Sequence, residues 1–343
     1  MKKIAIFLLI ALCLGIFAGC TGDVVVIGGC TCPSDSHNTP TDPIRPAPEG
    51  ALKTGLAIVC DTTGSVNAEK ADYDVTLVAV LVDDDGIIRD CIIDSIGTSV
   101  TFDATGTITS DVTAAVPTKN ELGDDYGMTN ISKVGEWYQQ ANALAQFAIG
   151  KTVTEFKKTA VDATGKAPAG SDLASSATIY LGGYVAAVEL AVNNARHLGA
   201  QTGDQLRLAA MPKLSGSSNG TAQLDCDVTA LTVSSGKITS CYIDSLQAKV
   251  TFGTDGVITD GIAEAVKTKN QLGSDYKMVA WGGAIAEWNE QAASFAAYVT
   301  GKTAAEVAGI AVDAGTKPTG ADLVSSVTIA IGGFQALIAK ALA

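Results

Sequence analysis

The stretch YDVTLVAVLVDDDGIIRDCIIDS at residues 73–95 decides the fold, because it returns as CDVTALTVSSGKITSCYIDS at residues 226–245. Both stretches carry alternating β-branched residues, and an Asp-Gly or Gly-Lys pair interrupts each of them. This pattern is typical of two antiparallel strands joined by a tight turn. We therefore predict two copies of one unit, each of which opens with an antiparallel meander.

Helices are predicted after the strands in both copies. EWYQQANALAQFAIGKT begins at Glu136 and EWNEQAASFAAYVTGKT at Glu287, and the first of them has apolar residues at helical spacing. A threonine with a glutamate three residues later follows in both copies and predicts a capping box that starts the next helix. The GKT triplets do not indicate a phosphate-binding loop, because the glycine five residues earlier is missing.

The repeats and the N-terminal segment divide the chain into four parts. We predict a signal peptide at residues 1–19, a lipidated cysteine with a flexible tether at 20–50, a first repeat at 51–199 and a second repeat at 200–343. With 343 residues, the chain is long enough for two domains that each bury a core. Each repeat is expected to be an α+β domain in which helices cover one side of an antiparallel sheet.

The N-terminus indicates export. MKKIAIFLLIALCLGIFAGC pairs two lysines with an apolar run that is short for a membrane span. Its end, Phe17-Ala18-Gly19-Cys20, resembles the lipobox of bacterial lipoproteins, which implies that Cys20 is lipidated and anchors the protein to a membrane outside the cytoplasm. An ordinary signal peptide with a coincidental cysteine is the alternative. The following segment is rich in Pro, Ser, Thr and Asp, which predicts a flexible tether.

Charge and residue counts exclude several classes of function. The net charge of −13 disfavours nucleic acid as a partner. The chain has two histidines, which excludes a Ser-His-Asp triad in each repeat and a histidine-based zinc site. Four cysteines in or beside predicted strands favour small buried hydrophobic residues over the disulfides that an exported protein could also form: Cys60, Cys91, Cys226 and Cys241.

A hydroxyl-rich turn occurs once in each repeat and leads into an apolar segment. It reads SDLASSATIYLGG at residues 171–183 and ADLVSSVTIAIGG at residues 321–333. The turn resembles the flavinylation motif of the FMN-binding domain family, in which an Asp, two spacers and Ser-Gly-Ala-Thr lead into a helix. The V-T-x-x-V, G-K-I and I-D hairpin is similar to the start of many of those domains. The candidate site residues are Asp172, Ser175, Ser176, Thr178, Asp322, Ser325, Ser326 and Thr328.

The resemblance implies a role for each of these residues. Thr178, and as a second site Thr328, would carry FMN through a phosphoester bond installed by a flavin transferase. The two aspartates would order their turns, and the neighbouring serines would line the pocket, with Ser176 and Ser326 at the position of the family's glycine. Val327 stands where the family has alanine and is expected to crowd its threonine, which favours Thr178. The implied function is an electron carrier that serves membrane redox proteins and is not a self-sufficient enzyme.

Physical chemistry supports this interpretation and also offers alternatives. A helix N-terminus has unpaired N–H groups and a partial positive charge, which would stabilise a phosphate ester on a first-turn threonine. Ser, Thr and Asp are also preferred helix N-caps, so the turns could simply cap helices in a surface lipoprotein that binds a ligand or protein without flavin. Four aromatic residues could stack on flavin, although the tryptophans could instead pack on the sheets: Trp137, Trp288, Tyr126 and Tyr276. Asp94 and Asp244 are candidate paired acids or solvated strand ends.

Overall fold

Three strands open the first half of the chain in the computed structural model, which describes residues 50–263 and 265–343. Strands β1 (Ala51–Asp61), β2 (Lys70–Val82) and β3 (Ile88–Thr101) pair antiparallel in sequence order. The predicted turn between β2 and β3 is confirmed, with Gly86 at φ +78°. The predicted signal peptide, Cys20 and the tether lie outside the described residues.

Helices α1 (Lys119–Leu122), α2 (Trp137–Ala148), α3 (Val153–Ala160) and α4 (Gly182–Asn193) follow these strands. The predicted capping box at the start of α3 is confirmed, because Thr152 Oγ1 accepts a hydrogen bond from the N–H of Glu155 and the Glu155 carboxylate accepts one from the N–H of Thr152. After α4, strand β4 (Arg196–Gln201) pairs antiparallel with β1 and completes a four-stranded sheet in the order β3-β2-β1-β4. This strand spans residues on both sides of the boundary predicted at 199/200.

The second half has its own four-stranded antiparallel sheet. Its strands β5 (Gln205–Lys213), β6 (Thr221–Ser234), β7 (Lys237–Phe252) and β8 (Ile258–Asp260) lie in sequence order. The β6–β7 turn places two adjacent residues, Ser235 at φ +50° and Gly236 at φ +75°, in the left-handed region, as the tightest hairpins require. The helices of this half are α5 (Lys269–Leu272), α6 (Met278–Gly282), α7 (Trp288–Val299), α8 (Ala304–Ala308) and α9 (Gly332–Leu342).

The two sheets pack face to face and share one hydrophobic core. Leu77, Ala79 and Leu81 of β2 point into it, and so do residues of β6 and β7. At one end of this core the rings of Phe102 and Phe252 stack with centroids 3.8 Å apart and planes 4° apart. The described residues, 50–263 and 265–343, therefore belong to one compact unit, and the two halves do not have separate inner cores.

Helices cover the outer face of each sheet. Val78, Val80 and Val82, which alternate with the inner residues of β2, pack beneath α2 and α4, and α7 and α9 cover the second sheet in the same way. The order of layers is helix, sheet, sheet, helix, so the α+β class is confirmed. We predicted helices on one side of each sheet; the other side is covered by the opposite sheet. No helix in the described part of the chain is long and apolar enough to span a membrane.

The four cysteines of residues 50–343 are free and buried, which confirms that they serve as small hydrophobic residues. Burial raises the pKa of each thiol, to about 12 for Cys60 and Cys241. A thiol with so high a pKa is protonated at neutral pH and is a poor nucleophile and metal ligand.

Candidate functional site

The Ser-Ser-x-Thr turn does not begin a helix. Residues Leu173–Ser175 form a single 3₁₀ turn, and α4 starts at Gly182, four residues after Thr178. The prediction that Thr178 lies in the first turn of a helix is therefore wrong. The alternative prediction, that the turn caps the helix, is also wrong, since no side chain caps α4. A main-chain carbonyl does so instead: the oxygen of Gly165 accepts hydrogen bonds from the N–H groups of Leu181 and Gly182 at 2.8 and 3.1 Å.

A buried glutamine of α2 holds the turn in place. The Oε1 atom of Gln140 accepts hydrogen bonds from the N–H and hydroxyl of Thr178 at 2.8 and 3.2 Å, and from the N–H of Ile179 at 3.2 Å. Its Nε2 atom donates to Ser132 Oγ at 3.0 Å and to the carbonyl of Gly135 at 2.9 Å. The Gln140 side chain is fully buried, and both polar atoms of its amide have hydrogen-bond partners, as buried polar groups require. Through these bonds the amide joins two surface segments to the helix.

The second half repeats this arrangement. Gln291 Oε1 accepts from the N–H and hydroxyl of Thr328 at 2.8 and 3.2 Å and from the N–H of Ile329 at 3.2 Å. Its Nε2 atom donates to the carbonyl of Ala286 at 2.8 Å. Neither glutamine was predicted as a site residue, although E-W-x-x-Q is identical in the two copies and marks both positions.

A buried glutamate fixes the loop before each of these helices. The carboxylate of Glu136 accepts hydrogen bonds from the N–H groups of Met128 and Thr129 at 2.7 and 2.9 Å. These hydrogen bonds hold the pKa of the Glu136 carboxyl below its usual range, and the bond from the Thr129 N–H has the largest effect. Glu287 accepts from the N–H groups of Met278 and Val279 at 2.9 and 3.2 Å. The Glu and Gln of E-W-x-x-Q therefore order the surface loop of each half.

The residues of the first turn that carry hydroxyl groups are exposed, although the Thr178 hydroxyl itself donates inward to Gln140. Ser175, Ser176 and Thr178 are exposed, whereas Ala177 beside them points into the core. Ser176 has φ −120°, so a serine fits there without the strain that a position requiring glycine would impose. Ser175 Oγ donates to the carbonyl of Asp172 at 2.6 Å.

The second turn is less accessible, for a reason other than the one predicted. Val327 is fully buried in the helix-side core, so it points away from Thr328 and does not crowd it. Thr328 itself is half-buried, as is Ser326, whose Oγ lies 3.3 Å from the carbonyl of Leu323, while Ser325 is exposed.

Neither predicted aspartate orders its turn through its carboxylate. Asp172 precedes the 3₁₀ turn without a side-chain capping bond, and its main-chain carbonyl is the group that contacts Ser175. The carboxylate of Asp322 accepts a hydrogen bond from the hydroxyl of Tyr298 at 2.9 Å. The turns are ordered by Gln140 and Gln291 instead.

The tryptophans belong to the core, as their alternative interpretation proposed. Trp137 and Trp288 are buried, and each ring lies beside a lysine ammonium: Lys119 Nζ is 5.2 Å from the Trp137 ring and Lys269 Nζ is 4.9 Å from the Trp288 ring. The exposed aromatic ring two residues after Thr178 is Tyr180, at 62 % exposure.

Asp94 and Asp244 are buried acceptors and not solvated strand ends. Each is 8 % exposed. Asp244 Oδ1 accepts from the N–H groups of Ser245 and Asn270 at 2.7 and 3.0 Å, and Asp94 makes the corresponding bonds in the first half. Burial raises the pKa of both carboxyl groups, that of Asp244 to about 6. Each carboxylate thus holds the start of a short helix, α1 or α5, against a strand.

No protein family, curated protein or solved structure matches the chain. Within residues 50–263 and 265–343, no group of three or more His, Cys, Asp and Glu side chains is placed to hold a metal ion.

Replacing Gln140 by alanine should lower the free energy of unfolding by about 2–4 kcal/mol, because it leaves the N–H groups of Thr178 and Ile179 without their buried acceptor and opens a cavity. Urea unfolding measures this loss, and limited proteolysis should show cleavage within residues 128–135 and 175–180. Gln146→Ala, an exposed position on the same helix, is the control and should change stability by less than about 0.5 kcal/mol. Equal stability of the two variants would contradict the role of Gln140.

The raised pKa of Asp244 predicts a pH-dependent stability. The folded protein binds this proton more tightly than the unfolded chain, so the contribution is fully present below about pH 4 and is lost as the pH rises through about 6. Relative to Asp244→Asn, the wild-type protein should therefore lose up to about 3 kcal/mol between pH 4 and pH 7. Urea titrations of both proteins at several pH values measure this difference, and a difference independent of pH would contradict it.

Proposed function

We propose that this protein is an extracytoplasmic, lipid-anchored electron carrier built from two FMN-binding-domain-like repeats, with FMN attached through Thr178. The observation that carries the proposal is the exposed Thr178 residue on a turn that the buried Gln140 fixes. A transferase needs a hydroxyl that it can reach, and a carrier needs its cofactor at a defined place. Anchoring through Cys20 would keep the protein near membrane redox proteins.

The surroundings of Thr178 fit a bulky group. Ser175 and Ser176 are small and exposed, so they leave room for the ring and for the transferase. The exposed Tyr180 ring offers an aromatic face, and such faces favour offset stacking on a second ring system. These residues, together with Thr178, would hold the cofactor.

Esterification is compatible with the fixed turn. The Thr178 oxygen would lose the hydrogen that it donates to Gln140, but the two backbone N–H bonds to the same Oε1 atom would remain. The phosphate would be solvated at this exposed position, so it would avoid the desolvation that buried charges incur without a partner. Two of the three hydrogen bonds that hold the turn would therefore remain after modification.

When bound, FMN supplies one- or two-electron transfer, and the protein supplies its position. Thr178 is the favoured attachment site because Thr328 is half-buried. The partners that this function implies are a flavin transferase and membrane redox proteins, with no nucleic acid.

A surface lipoprotein that binds a ligand or protein without flavin is the second candidate. It is favoured by the separation of Thr178 from the first residue of α4, since a phosphate there would lack the N–H groups of a helix N-terminus. In that case the turns would serve only to pack the surface loops.

Intact mass and in-gel flavin fluorescence test the primary proposal. We expect the exported chain, co-expressed with a flavin transferase, to gain the mass of one covalently attached FMN and to fluoresce after denaturation. Thr178→Ala should abolish both signals, and Thr328→Ala should retain them.

A protein that is already known to be flavinylated by the same transferase is the positive control. An unmodified mass of this chain beside a modified control would reject the covalent carrier and leave the second candidate. Modification that persists in Thr178→Ala but not in Thr328→Ala would reject the assignment of the site.

A further inference from the structure

A loop of the second half carries exposed apolar side chains. It comprises α6 and the residues that lead to α7, and it reads MVAWGGAIA at residues 278–286, a run without a charged side chain. Trp281 is 81 % exposed, and Val279 and Ile285 are exposed as well. Large apolar side chains that lie together on a protein surface mark contacts with another molecule. We call residues 278–286 the Trp281 loop.

Hydrogen bonds order the Trp281 loop. The buried Glu287 carboxylate accepts the first two N–H groups of the loop at 2.9 and 3.2 Å. The N–H of Trp281 donates to the carbonyl of Lys277 at 3.0 Å. A Cβ atom added to Gly282 or Gly283 would meet no atom within 4 Å beyond the local backbone, so both glycines lie in open space. The exposed ring of Trp281 therefore stands on a fixed turn that projects from the protein.

The corresponding loop of the first half is polar. The E-W-x-x-Q alignment places residues 128–135, MTNISKVG, opposite the Trp281 loop. Ile131 is 87 % exposed there, but its neighbours in the chain are Asn130, Ser132 and Lys133. Both loops are held by a buried glutamate, so this anchor does not require apolar side chains. The apolar surface is a property of the second half.

The size of this surface favours a lipid bilayer over a protein partner. A stable protein interface takes about 20–30 residues from each side and packs them against a complementary shape. The Trp281 loop offers three large exposed apolar side chains on nine residues. A bilayer needs no complementary shape, and apolar side chains insert about 5–10 Å into its headgroup and acyl boundary. Nine residues are too few to cross it, which takes about 20 in a helix.

A lysine beside the tryptophan also suits a membrane surface. Lys277 Nζ lies 4.2 Å from the centroid of the Trp281 ring. Tryptophan is enriched at the level of the lipid headgroups, since its ring is apolar and its N–H is a hydrogen-bond donor. A lysine keeps its ammonium group in the polar layer while its carbon chain lies along apolar surface. The pair thus places apolar and charged groups in the order that a bilayer surface requires.

From the uncharged run, the projecting ring and the adjacent lysine, we infer that the Trp281 loop inserts into the surface of a phospholipid bilayer. Burial of apolar side chains drives the insertion, because the net charge of −13 gives no general attraction to lipid headgroups. The inference does not depend on flavin or on lipidation of Cys20. With Cys20 lipidated, a flexible tether up to residue 50 would span roughly 30 Å and let the loop reach the same membrane.

Flotation with phosphatidylcholine vesicles tests the inference. The protein is the chain from residue 20 onward with Cys20→Ser, which cannot carry the lipid anchor. We expect it to float with the vesicles, and its partition should change less than about twofold between roughly 0.05 and 0.5 M NaCl, because salt screens charge attraction but not apolar transfer. Brominated acyl chains should quench the fluorescence of Trp281, while the buried Trp137 and Trp288 give a constant background.

Two variants of the loop and a matched control separate insertion from other effects. Trp281→Ser should lower the partition about tenfold or more, because transfer of the indole ring is lost. Ala280→Asp adds a charge at an exposed position and should also weaken binding. Ile131→Ser changes the exposed apolar residue of the first half and should alter the partition less than about twofold.

Absence of flotation would overturn the inference, as would equal partition of the parent chain, Trp281→Ser and Ala280→Asp. Sedimentation of the chain without vesicles tests the alternative of a protein contact. Self-association that Trp281→Ser abolishes, without flotation of the parent chain, would identify such a contact and reject the bilayer. Circular dichroism of each variant separates loss of binding from loss of folding.

Discussion

The face-to-face packing of two antiparallel sheets is the constraint on which the rest of the structure depends. Each sheet is buried on its inner face by the other sheet and on its outer face by helices. The stacked rings of Phe102 and Phe252 join the two sheets at one end, and the hydrogen bond of 2.7 Å between Thr54 Oγ1 and Ser240 Oγ joins them within the buried interior. Because the strands are shielded on both sides, a ligand or partner can reach only helices, loops and sheet edges. These are the places where the candidate sites lie.

The two halves use the same anchors but present different surfaces. Gln140 and Gln291 each hold a threonine turn by three hydrogen bonds to one amide oxygen. The exposure of the two threonines differs, since Thr178 is exposed and Thr328 is half-buried. The two halves thus share their buried anchors and differ in the accessibility of the turns that these anchors hold.

Local patterns in the sequence were sufficient to predict the hairpins, the long helices and the capping boxes, because each depends on residues close together in the chain. The shared core was missed, although the unbroken apolar run at residues 77–82 is the pattern expected of a strand buried on both faces. The start of α4 was also misplaced, because its first N–H groups bind the carbonyl of Gly165, which is distant in sequence. Likewise, the unpaired state of Asn289 Oδ1 depends on the packing of α7 against its surroundings, which no local pattern encodes.

The central claim is that the two halves share one core, and urea unfolding observed separately in each half tests it most directly. Trp281, which is largely exposed, is first replaced by phenylalanine; Trp288→Phe then leaves Trp137 to report on the first half, and Trp137→Phe leaves Trp288 to report on the second. Because neither sheet can keep its inner face buried alone, we expect each fluorescence transition to coincide with the loss of circular dichroism measured on the same variant. Two separate transitions, with one half remaining folded while the other unfolds, would contradict the shared core.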